Sequence, residues 1–96
     1  MLQARTPEHA GSREQARELI GGLSQPLVGE RVAVDFGPLL VPTPSYCDEI
    51  VKLVLQSGGA ERLEVLNASP RARQLVERSA QNRGVAGRLR IAAAVG

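Results

Sequence analysis

Ninety-six residues with one Phe, one Tyr and no Trp leave room for one domain, its core built from Leu, Val, Ile and Ala. The net charge is only +2 and the signs are interleaved, as in Arg13-Glu14, Arg17-Glu18 and Glu77-Arg78, which solvates helix faces and argues against a nucleic-acid stripe. A single cysteine excludes an intramolecular disulfide, and Cys47 with His9 falls short of the four ligands of a structural zinc site, so neither a metal nor another cofactor is expected.

Residues 1–11 show no apolar periodicity and contain Pro7 and His9. They read as a flexible lead-in to a single domain over 12–96. Ser12 followed by Gln15 is a capping-box pattern. Ala16, Leu19, Ile20 and Leu23 follow at helical spacing, until Gly21-Gly22 and Pro26 end the helix. Arg31-Val32-Ala33-Val34-Asp35-Phe36 is a buried strand broken by Gly37-Pro38. Leu39-Leu40-Val41 reads either as a short extra strand or as a loop plugged into the core. Ser45 is read as the cap of a second helix whose first turn carries Asp48 and Glu49. Ile50, Val51, Leu53, Val54 and Leu55 make it the most buried helix, ended by Gly58-Gly59.

Arg62-Leu63-Glu64-Val65-Leu66-Asn67 predicts another strand. Ser69-Pro70 then caps a third helix, with Pro at the first helical position, where a missing N–H costs nothing. Leu75, Val76 and Ala80 form its inward face, Asn82-Arg83-Gly84 closes it, and Leu89-Arg90-Ile91 begins a last strand fading into 92–96. This alternation predicts an α/β fold: a small, mostly parallel sheet of three or four strands with crossover helices.

The residues with chemical potential cluster at the ends of the first predicted strand and the start of the second helix. Ser45 explains itself as a cap, worth about 1 kcal/mol over Ala, and is also a hydroxyl at a helix tip, reachable by a phosphoryl group. A phosphate there would gain about 0.3–1 kcal/mol from the helix dipole. It would lose roughly 3 kcal/mol per unit charge to each of Asp48 and Glu49 at about 6 Å, so repulsion is expected to dominate. Thr43, flanked by prolines, is the alternative hydroxyl. Asp48 and Glu49 point about 100° apart on a helix, which disfavours an acid–base pair; the more exposed acid is expected to contact a partner. Asp35 ends a parallel strand, where it caps the loop or faces a ligand. Tyr46 is either a lid over the core or an interface residue. Cys47 reads as a small buried hydrophobe. Arg71 and Arg78 share a helix face at seven-residue spacing and read as a solvated face.

Val32-Ala33-Val34-Asp35-Phe36, the short loop, Ser45-Tyr46-Cys47-Asp48-Glu49-Ile50, and Leu66-Asn67 before the capped helix together resemble the STAS-like family of bacterial domains, over residues 12–91. That family has no established function. The wider STAS group includes anti-sigma factor antagonists, whose partner is an anti-sigma factor that is also a histidine-kinase-like ATPase and serine kinase. The resemblance sets Ser45 at the phosphoacceptor position of that group. Thr43 and Tyr46 stand where the group carries Asp and Gly, within its Asp-Ser-Ser-Gly run.

The resulting expectation is a non-enzymatic regulatory module. It would dock a partner ATPase or kinase through residues 43–49, using Tyr46, Asp48, Glu49 and Asp35, with Ser45 or Thr43 open to phosphorylation. A small-ligand or nucleotide sensor at the carboxyl edge of the sheet, and a passive homodimerisation domain, are the alternatives. With neither a signal peptide nor a membrane-spanning apolar run, the chain reads as cytoplasmic.

Overall fold

The computed structural model describes residues 1–92. Four parallel strands form one sheet in chain order: β1 (Leu2–Arg5), β2 (Arg31–Asp35), β3 (Arg62–Leu66) and β4 (Leu89–Ile91). Three helices make the crossovers: α1 (Arg13–Gly21), α2 (Pro44–Val51) and α3 (Pro70–Asn82). Parallel neighbours joined by right-handed crossovers place every helix on the same face of the sheet. Accordingly α2 packs between α1 and α3, and the strand residues beneath them, Val32, Val34, Leu63 and Val65, have no solvent exposure. The other face carries Gln3, Ala33, Glu64 and Arg90 in one row and Arg5, Asp35 and Leu66 in the next. Among the described residues no helix is long and apolar enough to cross a membrane.

Residues 1–11, expected to be a lead-in, instead supply the edge strand β1, in register with β2 from Leu2 opposite Val32 to Arg5 opposite Asp35. The fourth strand is therefore this one and not Leu39-Leu40-Val41, which is a loop. Leu39 alone plugs into the core, while Leu40 and Val41 are 61% and 70% exposed. The Leu40 N–H donates to the Glu8 carbonyl (3.0 Å), holding this loop against the segment after β1. The end of the chain from residue 93, expected to trail off from the last strand, lies outside the described residues.

The helix starts follow local chemistry. Ser12 and Gln15 form the capping box, and the Ser69 side chain accepts from the Ala72 N–H ahead of α3. The cap of α2 is Thr43, not Ser45: Thr43 Oγ1 accepts from the Tyr46 N–H at 3.2 Å. Pro44 decides this, because proline suits the first helical position and holds the residue before it extended. Ser45 thus becomes the second residue inside the helix, and Asp48 and Glu49 move beyond the first turn.

The far end of α2 widens into a π-helical turn, Lys52–Gln56. Arg88 closes it with a fork, donating to the carbonyls of Leu55 (2.7 Å) and Ala60 (2.6 Å). The backbone is so tight here that a β-carbon on Gly58 would lie 2.2 Å from the Leu53 carbonyl oxygen, whereas one on Gly21 would meet nothing within 4 Å. Gly58→Ala should therefore destabilise the domain by about 3 kcal/mol. Gly21→Ala, at a helical position, should be neutral or stabilising by up to about 1 kcal/mol. Urea unfolding of the two variants would show the opposite signs.

A candidate cation-lined groove at the start of helix α2

All three helices run from the carboxyl edge of the sheet, so their N-termini gather at one end of the molecule. From that end a cavity of about 260 Å³ runs between α2 and α3, bordered by the start of α2 and by α3 from Arg71 in its first turn to Asn82 in its last. Its lining includes Ser45 and Asp48 from α2, Arg71, Leu75 and Arg78 from α3, and Arg13 from α1. On α3 the positions 71, 75 and 78 recur every three to four residues and so share the face that meets α2.

The two acids of α2 face opposite flanks. Asp48 turns toward α3. Its Oδ1 accepts from Ser79 Oγ (2.7 Å) and Arg83 Nε (2.9 Å), and its Oδ2 accepts from Arg83 Nη2 (2.7 Å) and Arg13 Nη1 (2.8 Å). A carboxylate offers about four acceptor sites, and all are filled. Glu49 turns toward α1, accepting from Arg13 Nη1 (3.1 Å) and Arg17 Nε (3.1 Å), with Lys52 Nζ at 3.9 Å. Its side chain is 1% exposed. Hydrogen bonds from Arg83, then from Ser79 and Arg13, hold the Asp48 carboxyl well below the usual range despite its partial burial. For Glu49, burial pushes the pKa up, but the Arg13 and Arg17 hydrogen bonds and Lys52 outweigh it, and the net displacement is downward. Two carboxylates against four cations leave this network two charges positive.

Two further guanidiniums of the groove have no counter-ion among the described residues. Arg71 donates to the neutral side chain of Gln74 (3.2 Å), and Arg78 has neither hydrogen bond nor ion pair among the described residues. The field of Arg71 reaches the first turn of α2, where it favours the thiolate of Cys47. Burial dominates at that thiol and pushes it up to about 12, so Cys47 behaves as the buried hydrophobe expected of it.

The structure separates the sequence candidates. Ser45 is exposed on the rim of the groove. Thr43 is engaged at both functions of its hydroxyl, which accepts from Tyr46 and donates to the Gly11 carbonyl at 2.7 Å. Tyr46, considered as a partner contact, is fully buried, and burial raises its phenol to about 12. It is the lid over the core. Glu49 is buried and Asp48 saturated, so neither offers a free carboxylate to a partner. Asp35 caps its loop, accepting from the Gly37 N–H (2.8 Å) and Asn67 Nδ2 (3.1 Å), which lower its pKa. Arg13, Arg71 and Arg78 were not recognisable as a site from sequence. The seven-residue spacing of Arg71 and Arg78 was the one visible signal, and it did not say that their face borders α2. The repulsion expected between a phosphate on Ser45 and the two acids is also corrected, because both acids are already neutralised by arginines.

Comparison with known proteins finds no matching family model, no matching curated protein and no matching solved structure.

Both acids of α2 titrate lower in the folded chain than unfolded. Their stabilisation is therefore present above the unfolded pKa and is lost as pH falls through the folded one. Asp48→Asn should cost about 2 kcal/mol at neutral pH, and the gap from the parent protein should narrow as pH drops below about 4. Urea midpoints across this range test it. Cys47 should resist a thiol reagent in the native protein and react with one equivalent once unfolded.

Proposed function

We propose that this domain is a cytoplasmic, non-enzymatic regulatory module of STAS-like type that docks a protein partner through the end of the molecule bearing the start of α2. One observation carries the reading: Ser45, a free and exposed hydroxyl, sits on the rim of a groove whose named charged groups, Arg13, Arg71, Arg78 and Asp48, amount to two net positive charges. Leu40 and Val41 are exposed a few residues upstream, in a loop anchored by Leu39 and by the Leu40–Glu8 backbone bond. Exposed apolar side chains combined with a polar, charged rim are the usual anatomy of a protein interface.

The residues with chemical potential are otherwise engaged. Cys47 is buried and protonated, Asp48 and Glu49 are held in ion pairs, and Asp35 caps a loop. Docking accounts for the exposed features better than catalysis does. It also accounts for them better than a nucleotide sensor at Asp35, whose bonded oxygen serves its own loop.

In this reading Ser45 is the modification site, in preference to Thr43, which cannot be modified without losing its cap and its bond to Gly11. A phosphate carries about −1.5 to −2 charges at neutral pH, close to the excess positive charge of those groove residues. Modification would neutralise the groove and weaken its hold on an acidic partner. The partner type implied by the STAS-like resemblance is a histidine-kinase-like ATPase acting as serine kinase or anti-sigma factor.

The test uses such an ATPase from the same genome, titrated by calorimetry and followed with ATP by intact mass. Wild type should bind and gain one phosphate, and Ser45→Ala should bind and gain none. Ser45→Asp and the double variant Leu40→Ser, Val41→Ser should each bind about tenfold more weakly, about 1.4 kcal/mol. Unchanged affinity in both of these variants would overturn the docking surface, and a phosphate retained in Ser45→Ala would overturn the modification site.

A further inference from the structure

We infer that the groove between α2 and α3 is a receptor for a phosphoryl group presented in trans, as a phosphomonoester, while Ser45 is unmodified. This rests on the groove being the docking site and names the chemistry that it reads. Three features support it. First, the cavity, about 260 Å³, lies below the span of about 300–1,000 Å³ usual for small-molecule sites; it suits one anionic group or one side chain rather than a nucleotide. Second, Arg71 and Arg78 carry positive charge on one face of one helix, and no acid among the described residues pairs with either. Planar guanidiniums on a shared face can each offer paired N–H donors to phosphoryl oxygens. Third, the one carboxylate in the lining, Asp48, has every acceptor site occupied by Arg83, Ser79 and Arg13. Its charge is compensated before any ligand arrives.

The buried side chain of Leu75, between the two arginines on α3, gives the groove an apolar patch. A phosphate group attached to a carbon chain fits such a lining better than a free inorganic ion, since its ester carbons meet this apolar wall. A phosphate on Ser45 itself would occupy the same guanidiniums, so modification in cis and binding in trans exclude one another.

The test is a titration of the full chain, followed by amide and arginine side-chain NMR signals at constant ionic strength. One arm uses inorganic phosphate, one a phosphoserine peptide, and one the same peptide with glutamate in place of phosphoserine. Saturable shifts of Ser45, Arg71 and Arg78 are expected in the phosphorylated arms. The phosphopeptide arm should bind more tightly than inorganic phosphate, and equal affinities in the two arms would overturn the phosphomonoester assignment. The Arg71→Gln, Arg78→Gln variant should lose about tenfold or more in affinity with an unchanged melting temperature, and Ser45→Asp should compete. Linear, unsaturated shifts, equal shifts in the double Gln variant, or equal binding of the glutamate peptide would overturn the inference. Those failures leave the Leu40, Val41 docking measurement intact, so the two readings fall separately.

Discussion

The handedness of the strand crossovers is the constraint from which the rest of this structure follows. Four parallel strands in chain order, each joined to the next by a right-handed connection, leave one face for all three helices. Each helix must run opposite to the strands, so each begins at the carboxyl edge of the sheet. The partial positive charge at each helix start is thereby collected at one end. α2 comes in from the middle strand pair and is flanked on both sides. Ile50, Val51, Val54 and Leu55 bury completely, and the acids on its flanks find most of their partners on or next to α1 and α3.

That requirement explains Asp48 and Glu49. Adjacent residues on a helix diverge by about 100°, and on a central helix this sends one to each neighbour. Glu49 is held by Arg13 and Arg17 of α1, Asp48 by Ser79 of α3 and Arg83 just beyond it, and Arg13 bridges the two acids. Removing charges from water is costly, and a buried ion pair is tolerated only where further hydrogen bonds satisfy what remains. Here they do. A consequence for the surface is that the groove beside Asp48 takes its character from Arg71 and Arg78, because the acid beneath them is already compensated.

Much of the scaffold was legible because its signals are local. The Ser12–Gln15 box, the Ser69-Pro70 start and the β-branched run of β2 are each decided within a few residues, and each stands where the sequence placed it. The Xaa-Pro pattern of Ser69-Pro70 also holds at Thr43-Pro44 and marks Thr43 as the cap of α2; Ser45, two residues on, already lies inside the helix. β1 was not legible, since Leu2-Gln3-Ala4-Arg5 carries only one large apolar side chain and becomes a strand through its pairing with β2. The groove was hidden for a different reason. Its residues come from three helices, and Asp48 lies 31 and 35 positions from the α3-side groups that neutralise it. Sequence spacing could show that Arg71 and Arg78 share a face, but only the packing of α3 on α2 shows which way that face looks.

The same packing separates two roles that the run from Thr43 to Glu49 had seemed to share. Thr43 and Tyr46 are structural: one closes the helix start through two hydrogen bonds, and the other is sealed in the core. Ser45, between them, is left with an exposed side chain, because Pro44 moved the capping duty back to Thr43. A hydroxyl relieved of its structural task thus lies beside two guanidiniums that no acid among the described residues pairs. Stability alone gives no reason to leave Arg71 and Arg78 uncompensated around a polar cavity: solvated cations placed anywhere else on α3 would serve solubility equally well. Placing them on the one face that borders the start of α2 makes sense when something negative arrives there, which is the physical ground for reading this end of the molecule as a recognition surface.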